Sequence, residues 1–176
     1  MKQVVLSGVL LALAVSAHAA EYGVAAGRDF QQFSRTPEGI IPGFTLDYLH
    51  HDHQGSAGGL GLMMGVSLGP VSLGGGVKAM AIDTDAGSAP AALPGARASL
   101  ALGHGLSVYA SAFQAPSALA SGSVGKVIDR SAGVQWQPVG PLTLTAGYRQ
   151  FEIERQDASR NRTLADGAYL GVGLSF

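Results

Sequence analysis

The densest group of metal-type ligands in the chain is His50-His51-Asp52-His53. Imidazole nitrogens and carboxylate oxygens are ordinary zinc ligands, but neighbours on an extended strand point to opposite sides. The four can converge on one ion only if the chain turns between them. A polar, solvated turn with at most adventitious metal affinity is the reading these residues support, and no metal or cofactor is expected. The same histidines raise acid-base chemistry, with His50, His51 or His53 meeting Asp83 or Asp85 across one rim. Hydrolysis needs a nucleophile or activated water, a base and an orienting acid within hydrogen-bond reach. No motif places a serine there, and His104 stands apart in a Gly-His-Gly turn.

A second set is charged. Asp47, Lys78, Arg97 and Arg149, with Asp129, each fall on the small or polar side of an alternating segment. If that side lines a narrow interior, mixed signs pair into a stabilising plug, because an unpaired charge there is costly. The functional alternative is a constriction whose ion preference these four residues tune. Arg28 and Arg130 break the pattern by standing on the apolar side near segment ends, where arginine can snorkel toward a lipopolysaccharide phosphate; the simpler reading, which is preferred, is a loop residue just beyond the membrane. Asn161-Arg162-Thr163 is formally a glycosylation acceptor and is given no weight.

The elements that position these residues are strands. Leu60, Leu62, Met64, Val66 and Leu68 alternate with Gly59, Gly61, Met63, Gly65 and Ser67, a period of two residues. Phe44 to Tyr48, Val71 to Ala81, Ala96 to Leu102, Leu106 to Ala112, Ala132 to Trp136, Leu142 to Tyr148 and Ala168 to Phe176 follow the same rule. A soluble sandwich also alternates, but its outward face carries Lys, Glu and Thr in quantity. Here the polar face is mostly Gly and Ser, which suits a narrow lumen, while the apolar face suits lipid. Hydrocarbon satisfies no backbone groups, so such strands must close on themselves.

Tight links at Gly69-Pro70, Gly103-His104-Gly105 and Gln137 to Pro141 alternate with longer polar stretches at Asp83 to Pro94, Gln114 to Lys126 and Glu154 to Asp166. Short periplasmic turns alternating with longer outer loops are the habit of outer-membrane barrels. Eight strands are clear from Gly43 onward, and Glu21 to Asp29 alternates as well. For an even count, either Glu21 to Asp29 is an N-terminal tail or a further strand lies between it and Gly43, with Gln31 to Arg35 the only candidate. The expectation is an all-β, antiparallel, up-and-down transmembrane barrel of ten strands, with eight as the alternative. Tyr48, Trp136, Tyr148 and Phe176 fall where interfacial aromatic girdles belong.

The first nineteen residues carry Lys2, an apolar core from Val4 to Ala17 and the small-x-small site Ala17-His18-Ala19, the pattern of a secretory signal. Residues 1–19 are therefore expected to be a leader and 20–176 a single barrel domain in the bacterial outer membrane. The absence of cysteine excludes a lipoprotein anchor and a disulfide scaffold. The formal net charge of −1 carries no basic patch, so nucleic acid is not a partner.

Ala165-Asp166-Gly167-Ala168-Tyr169-Leu170-Gly171 running on to Ser175-Phe176, Ala146-Gly147-Tyr148-Arg149, Ala26-Gly27-Arg28-Asp29-Phe30 and the stretch from His50 through Leu62 together resemble the YfaZ family of outer-membrane proteins. The likeness spans nearly the whole mature chain and weakens at Gln31 to Ile41. It implies a small porin-like barrel without an assigned substrate, and it brings no catalytic residues. The terminal strand ending in Phe176 resembles the signal read by the outer-membrane assembly machinery. The leading functional expectation is a narrow pore for small polar solutes or ions. A closed structural or interaction barrel contacting outer-membrane lipid and lipopolysaccharide is the alternative, and a lipid-modifying enzyme comes third.

Overall fold

The computed structural model describes residues 20–37, 43–84, 87–121, 124–155 and 161–175. They form ten strands: β1 (Ala20–Gly27), β2 (Phe30–Pro37), β3 (Gly43–His51), β4 (Gly55–Leu68), β5 (Val71–Thr84), β6 (Gly87–Gly103), β7 (Leu106–Ala115), β8 (Val124–Val139), β9 (Leu142–Arg155) and β10 (Arg162–Ser175). Each pairs antiparallel with its sequence neighbours, and β1 pairs with β10, so the sheet closes into a barrel. The ten-strand expectation holds, and the strand sought at Gln31 to Arg35 is β2. The expected leader, Asp85 and Phe176 lie outside the described residues.

Closure follows from the outward face. Phe44, Leu60, Leu62, Met64, Leu68, Leu73, Leu102, Trp136, Leu170 and Val172 are all substantially exposed. A continuous apolar surface of this kind is foreign to a water-soluble monomer and matches a lipid-facing band. No described helix is long and apolar enough to cross a membrane.

In the stretch from Asp83 to Pro94, expected as a loop, all the described residues are strand instead: β5 runs to Thr84 and β6 begins at Gly87. The connections at Gln114 to Lys126 and Glu154 to Asp166 are likewise shorter than expected, with β8 beginning at Val124 and β10 at Arg162. The reason is that the polarity of the two faces inverts there. Inward positions of β5 run Ser72, Gly74, Gly76, Lys78 and then Met80 and Ile82; those of β6 run Ser99, Arg97 and Gly95 and then Leu93, Ala91 and Ala89. Outward positions change in the opposite sense, ending on Asp83, Ser88, Pro90 and Pro94, all exposed. Below the inversion the wall is built for hydrocarbon outside and polar groups inside. Above it, the outside meets water and the inside becomes an ordinary protein core.

That core comprises Leu49, Ile82, Leu93, Val127, Phe151 and Leu164, each no more than about 1% exposed, packed with Met80, Phe113, Ile153 and Phe30. Fully burying side chains of this size stabilises by roughly 1.5–3 kcal/mol each. The segment after β7 closes over one side: Ser121 N–H donates to the carbonyl of Pro90 at 3.1 Å, and Ala120 bridges to Ala91. β6 is thus partnered above the end of β7.

Candidate functional site

Immediately beneath the apolar core lies a layer of charge. Arg149, from β9, donates from Nε and Nη2 to the two carboxylate oxygens of Asp129 on β8, both at 3.0 Å, and from Nη1 to Gln32 Oε1 on β2 at 2.7 Å. Lys78 Nζ on β5 reaches Asp47 on β3 at 3.0 Å and Asp129 at 3.5 Å, and sits 4.2 Å from the centre of the Phe113 ring. Two cations therefore meet two anions, all four residues buried. The bidentate Arg149–Asp129 fork is the strongest geometry available to such a pair.

Local sequence explains how these long side chains lie across the wall. Lys78 pairs in register with Gly61, which pairs with Thr45. A Cβ at Gly61 would stand 2.5 Å from Thr45 Oγ1 and 3.1 Å from Lys78 Cγ, so glycine provides the bed over which lysine runs to Asp47. One row unites Tyr109, Gly133, Gly147 and Tyr169 on β7 to β10. The tyrosine hydroxyls meet above the two glycines in a hydrogen bond, and a Cβ at Gly133 or Gly147 would stand 3.0 Å from one of them. Luminal glycine, which suggests open space when read in the sequence, is covered here by neighbouring side chains.

Arg97 belongs to a different group. Its guanidinium stacks 4.4 Å over the Tyr109 ring, and Nη2 donates to Gln135 Oε1 at 3.1 Å; Gln135 Nε2 donates in turn to Glu21 Oε1 at 2.7 Å. This chain runs from β6 through β8 to β1 in the periplasmic half. Of the expected constriction residues, then, Asp47, Lys78 and Arg149 gather around Asp129, and Arg97 lies apart. Gln32, Tyr109, Gln135, Tyr169 and Glu21 complete the two groups and were not singled out in the sequence. The two tyrosines did carry a signal, being aromatic residues on a face otherwise Gly and Ser.

Toward the periplasmic end the lumen opens. An inner cavity of about 90 Å³ reaches Thr45, Asp47 and Lys78, and an outer one of about 340 Å³ is lined by Ser67, Ser72, Ser99 and Ser107; Glu21, Thr36, Met63, Arg97 and Gln135 border both. Thr45 Oγ1, in the inner cavity, is buried without a hydrogen-bond partner among the described residues.

The remaining candidates lie on the outside or at the outer rim. Tyr48, Trp136 and Tyr148 are exposed on the outer wall at 43%, 48% and 53%, and Tyr148 O–H donates to Asp166. His50 and His51 end β3; His51 Nδ1 accepts from the backbone N–H of His53 at 3.1 Å, which makes the group a turn. Among the described residues, no three His, Cys, Asp or Glu are grouped to hold a metal ion. His50, Ser56 and Asp83 share an outward row across β3, β4 and β5. Serine occupies the middle, so the carboxylate is two strands, roughly 9–10 Å, from the imidazole it would need to orient. Arg28 lies in the β1–β2 turn with its side chain 94% exposed, and Arg130 is exposed on β8.

Two comparisons bear on this barrel. A family model described as "YfaZ precursor" matches residues 1–176. The Outer membrane protein YfaZ of Escherichia coli (strain K12) is 26% identical over 181 residues, an alignment covering 100% of both chains.

Proposed function

The chain belongs to the YfaZ family, and on that premise we propose that it is an outer-membrane barrel closed at rest, acting through the surfaces it presents rather than by steady passage of solute. The observation that carries this reading is the sealed outer half. Phe151, Leu49, Ile82, Leu93, Leu164 and Val127 fill the lumen to near-zero exposure, directly above an ion cluster whose members satisfy one another. An ion crossing this stretch would lose its hydration to apolar walls, a cost of several kcal/mol for even a neutral polar group. No catalytic role is assigned. Arg28 and Arg130 at the outer rim are offered to lipopolysaccharide phosphate, and β10, with Phe176 next in sequence, to the assembly machinery.

A second reading, the narrow pore for small polar solutes or ions, is favoured by the polar periplasmic cavity of about 340 Å³. It requires the apolar core to part. Conductance of the refolded protein in a planar bilayer separates the two. The closed reading expects a silent baseline over a wide voltage range; frequent, reproducible open events near zero voltage would overturn it.

A further inference from the structure

We propose that the periplasm-facing half of the lumen is a binding site for a small, uncharged, polyhydroxylated solute, entered and left from the same end. The inference rests on the closed-barrel reading for its one-sidedness, while the site itself rests on the chemistry of the walls. Sealing from above turns a passage into a pocket. At about 340 Å³ for the outer chamber, the pocket falls at the lower end of the roughly 300–1,000 Å³ range for ligand sites, which points to a molecule of a few carbons rather than an oligomer.

The character of the ligand follows from charge and hydrogen bonding. The boundary between the two chambers carries one cation and one anion, Arg97 and Glu21, tied through Gln135. Deeper, Lys78 and Arg149 are matched by Asp47 and Asp129. With cation and anion balanced at both depths, neither a free anion nor a free cation is favoured. What the walls add to these balanced charges is the hydroxyl group: Ser99 and Ser107 line the outer chamber with Ser67 and Ser72, whose Oγ atoms bond each other at 2.9 Å and keep their remaining capacity for a ligand. A hydroxyl both donates and accepts, and the solutes that match such a surface carry hydroxyls of their own.

An independent observation lies at the inner end. Thr45 is 3% exposed, lines the inner cavity and leaves Oγ1 without a partner among the described residues. An unsatisfied buried hydroxyl costs roughly 1–3 kcal/mol, and a ligand hydroxyl or an ordered water reaching the end of the pocket would satisfy it. The free donors of the Arg97 guanidinium, beyond the single bond to Gln135, provide a further anchor at the chamber boundary.

The test uses the full mature chain, refolded in detergent, with D-glucose as probe and inorganic phosphate as the charged control, read by saturation-transfer NMR and by calorimetric titration. Glucose is expected to bind and phosphate to give no signal. Ser99→Leu, which fills the outer chamber, should weaken glucose binding at least tenfold, and Thr45→Val should weaken it severalfold. Ala98→Leu, on the neighbouring lipid-facing position, should leave it unchanged. Each variant is first shown to fold by its far-ultraviolet circular dichroism and heat-modifiable gel migration. No binding by glucose or by a panel of smaller polyols overturns the proposal, as does binding of phosphate alone, or glucose binding indifferent to Ser99→Leu in a folded barrel. Conductance on the same preparation keeps the two readings apart: open channels would sink the closed barrel without touching the binding result.

Discussion

Removing the Lys78 ammonium tests the reasoning about the buried layer most directly. Lys78→Met keeps an unbranched apolar stem over Gly61, one atom shorter, and deletes the ammonium group. Asp129 then retains its two bonds from Arg149 at 3.0 Å, but Asp47 loses its 3.0 Å partner, with its side chain only 12% exposed. Breaking a buried pair on one side typically costs about 3–5 kcal/mol, chiefly because the abandoned charge stays desolvated. Asp47→Leu in the same background removes that charge and leaves one cation facing one anion, Arg149 with Asp129. The double variant should therefore recover to within about 1 kcal/mol of the parent, since apolar replacement of a buried pair is often neutral or stabilising. Equilibrium urea unfolding in lipid vesicles, followed by the fluorescence of Trp136 on the lipid-facing wall, reads all three proteins. Additive losses in the double variant would refute the account, because they would mean that each residue contributes packing of its own rather than one half of a neutralised pair.

Other expectations follow from the same geometry. Phe151→Ala removes the largest wholly buried side chain of the outer core, and should cost about 3–5 kcal/mol in unfolding and raise the frequency of open events in a planar bilayer. Leu62→Arg, on the lipid band at 51% exposure, should destabilise by about 2–4 kcal/mol if it lies near the midplane, whereas Ser88→Arg, outward but beyond the inversion, should cost no more than about 1 kcal/mol. Vesicle unfolding measures both, and equal costs would remove the inversion as a membrane boundary. Tyr109→Phe deletes one hydroxyl of the pair with Tyr169 and should cost about 0.5–1.5 kcal/mol. Gly133→Val, which would set a Cβ 2.5 Å from the carbonyl oxygen of Ala146, should prevent closure of that row, seen as lost heat-modifiable migration.

Much of the barrel was legible because hydrocarbon imposes a simple rule on every strand it touches. Leu60 to Leu68 and Leu142 to Tyr148 declare one apolar face without ambiguity, and the closing partner of β10 follows once β2 is granted. What escaped notice lies above the inversion. Pro90 and Pro94, with Gly87 and Gly95 nearby, look like loop, and the apolar residues between them fall on the face that a membrane pattern assigns to polar groups. Alternation of this kind expresses the rule of lipid, and those residues obey the rule of water. The luminal charges were visible as residues out of keeping with Gly and Ser, but their grouping was not. Arg97 and Arg149 look equivalent along the chain; only the tilt and register of the closed sheet send one to Asp129 and the other to Gln135.

The inversion of faces also behaves as a waterline. Were the barrel to sink by one residue pair along its strands, Arg130, Gln150, Glu152 and Asp166, which stand outward near the top of the lipid band, would be drawn into hydrocarbon, against a cost of up to about 2–4 kcal/mol for a basic residue at full depth. Were it to rise, Leu60, Leu62 and Met64 would be lifted toward water and lose their transfer energy. The molecule is ballasted from both sides and cannot trade immersion for comfort in a bilayer of the wrong thickness. It must instead deform the lipid around it, at fractions of a kcal/mol per ångström of mismatch, and so floats at one draught wherever it is carried.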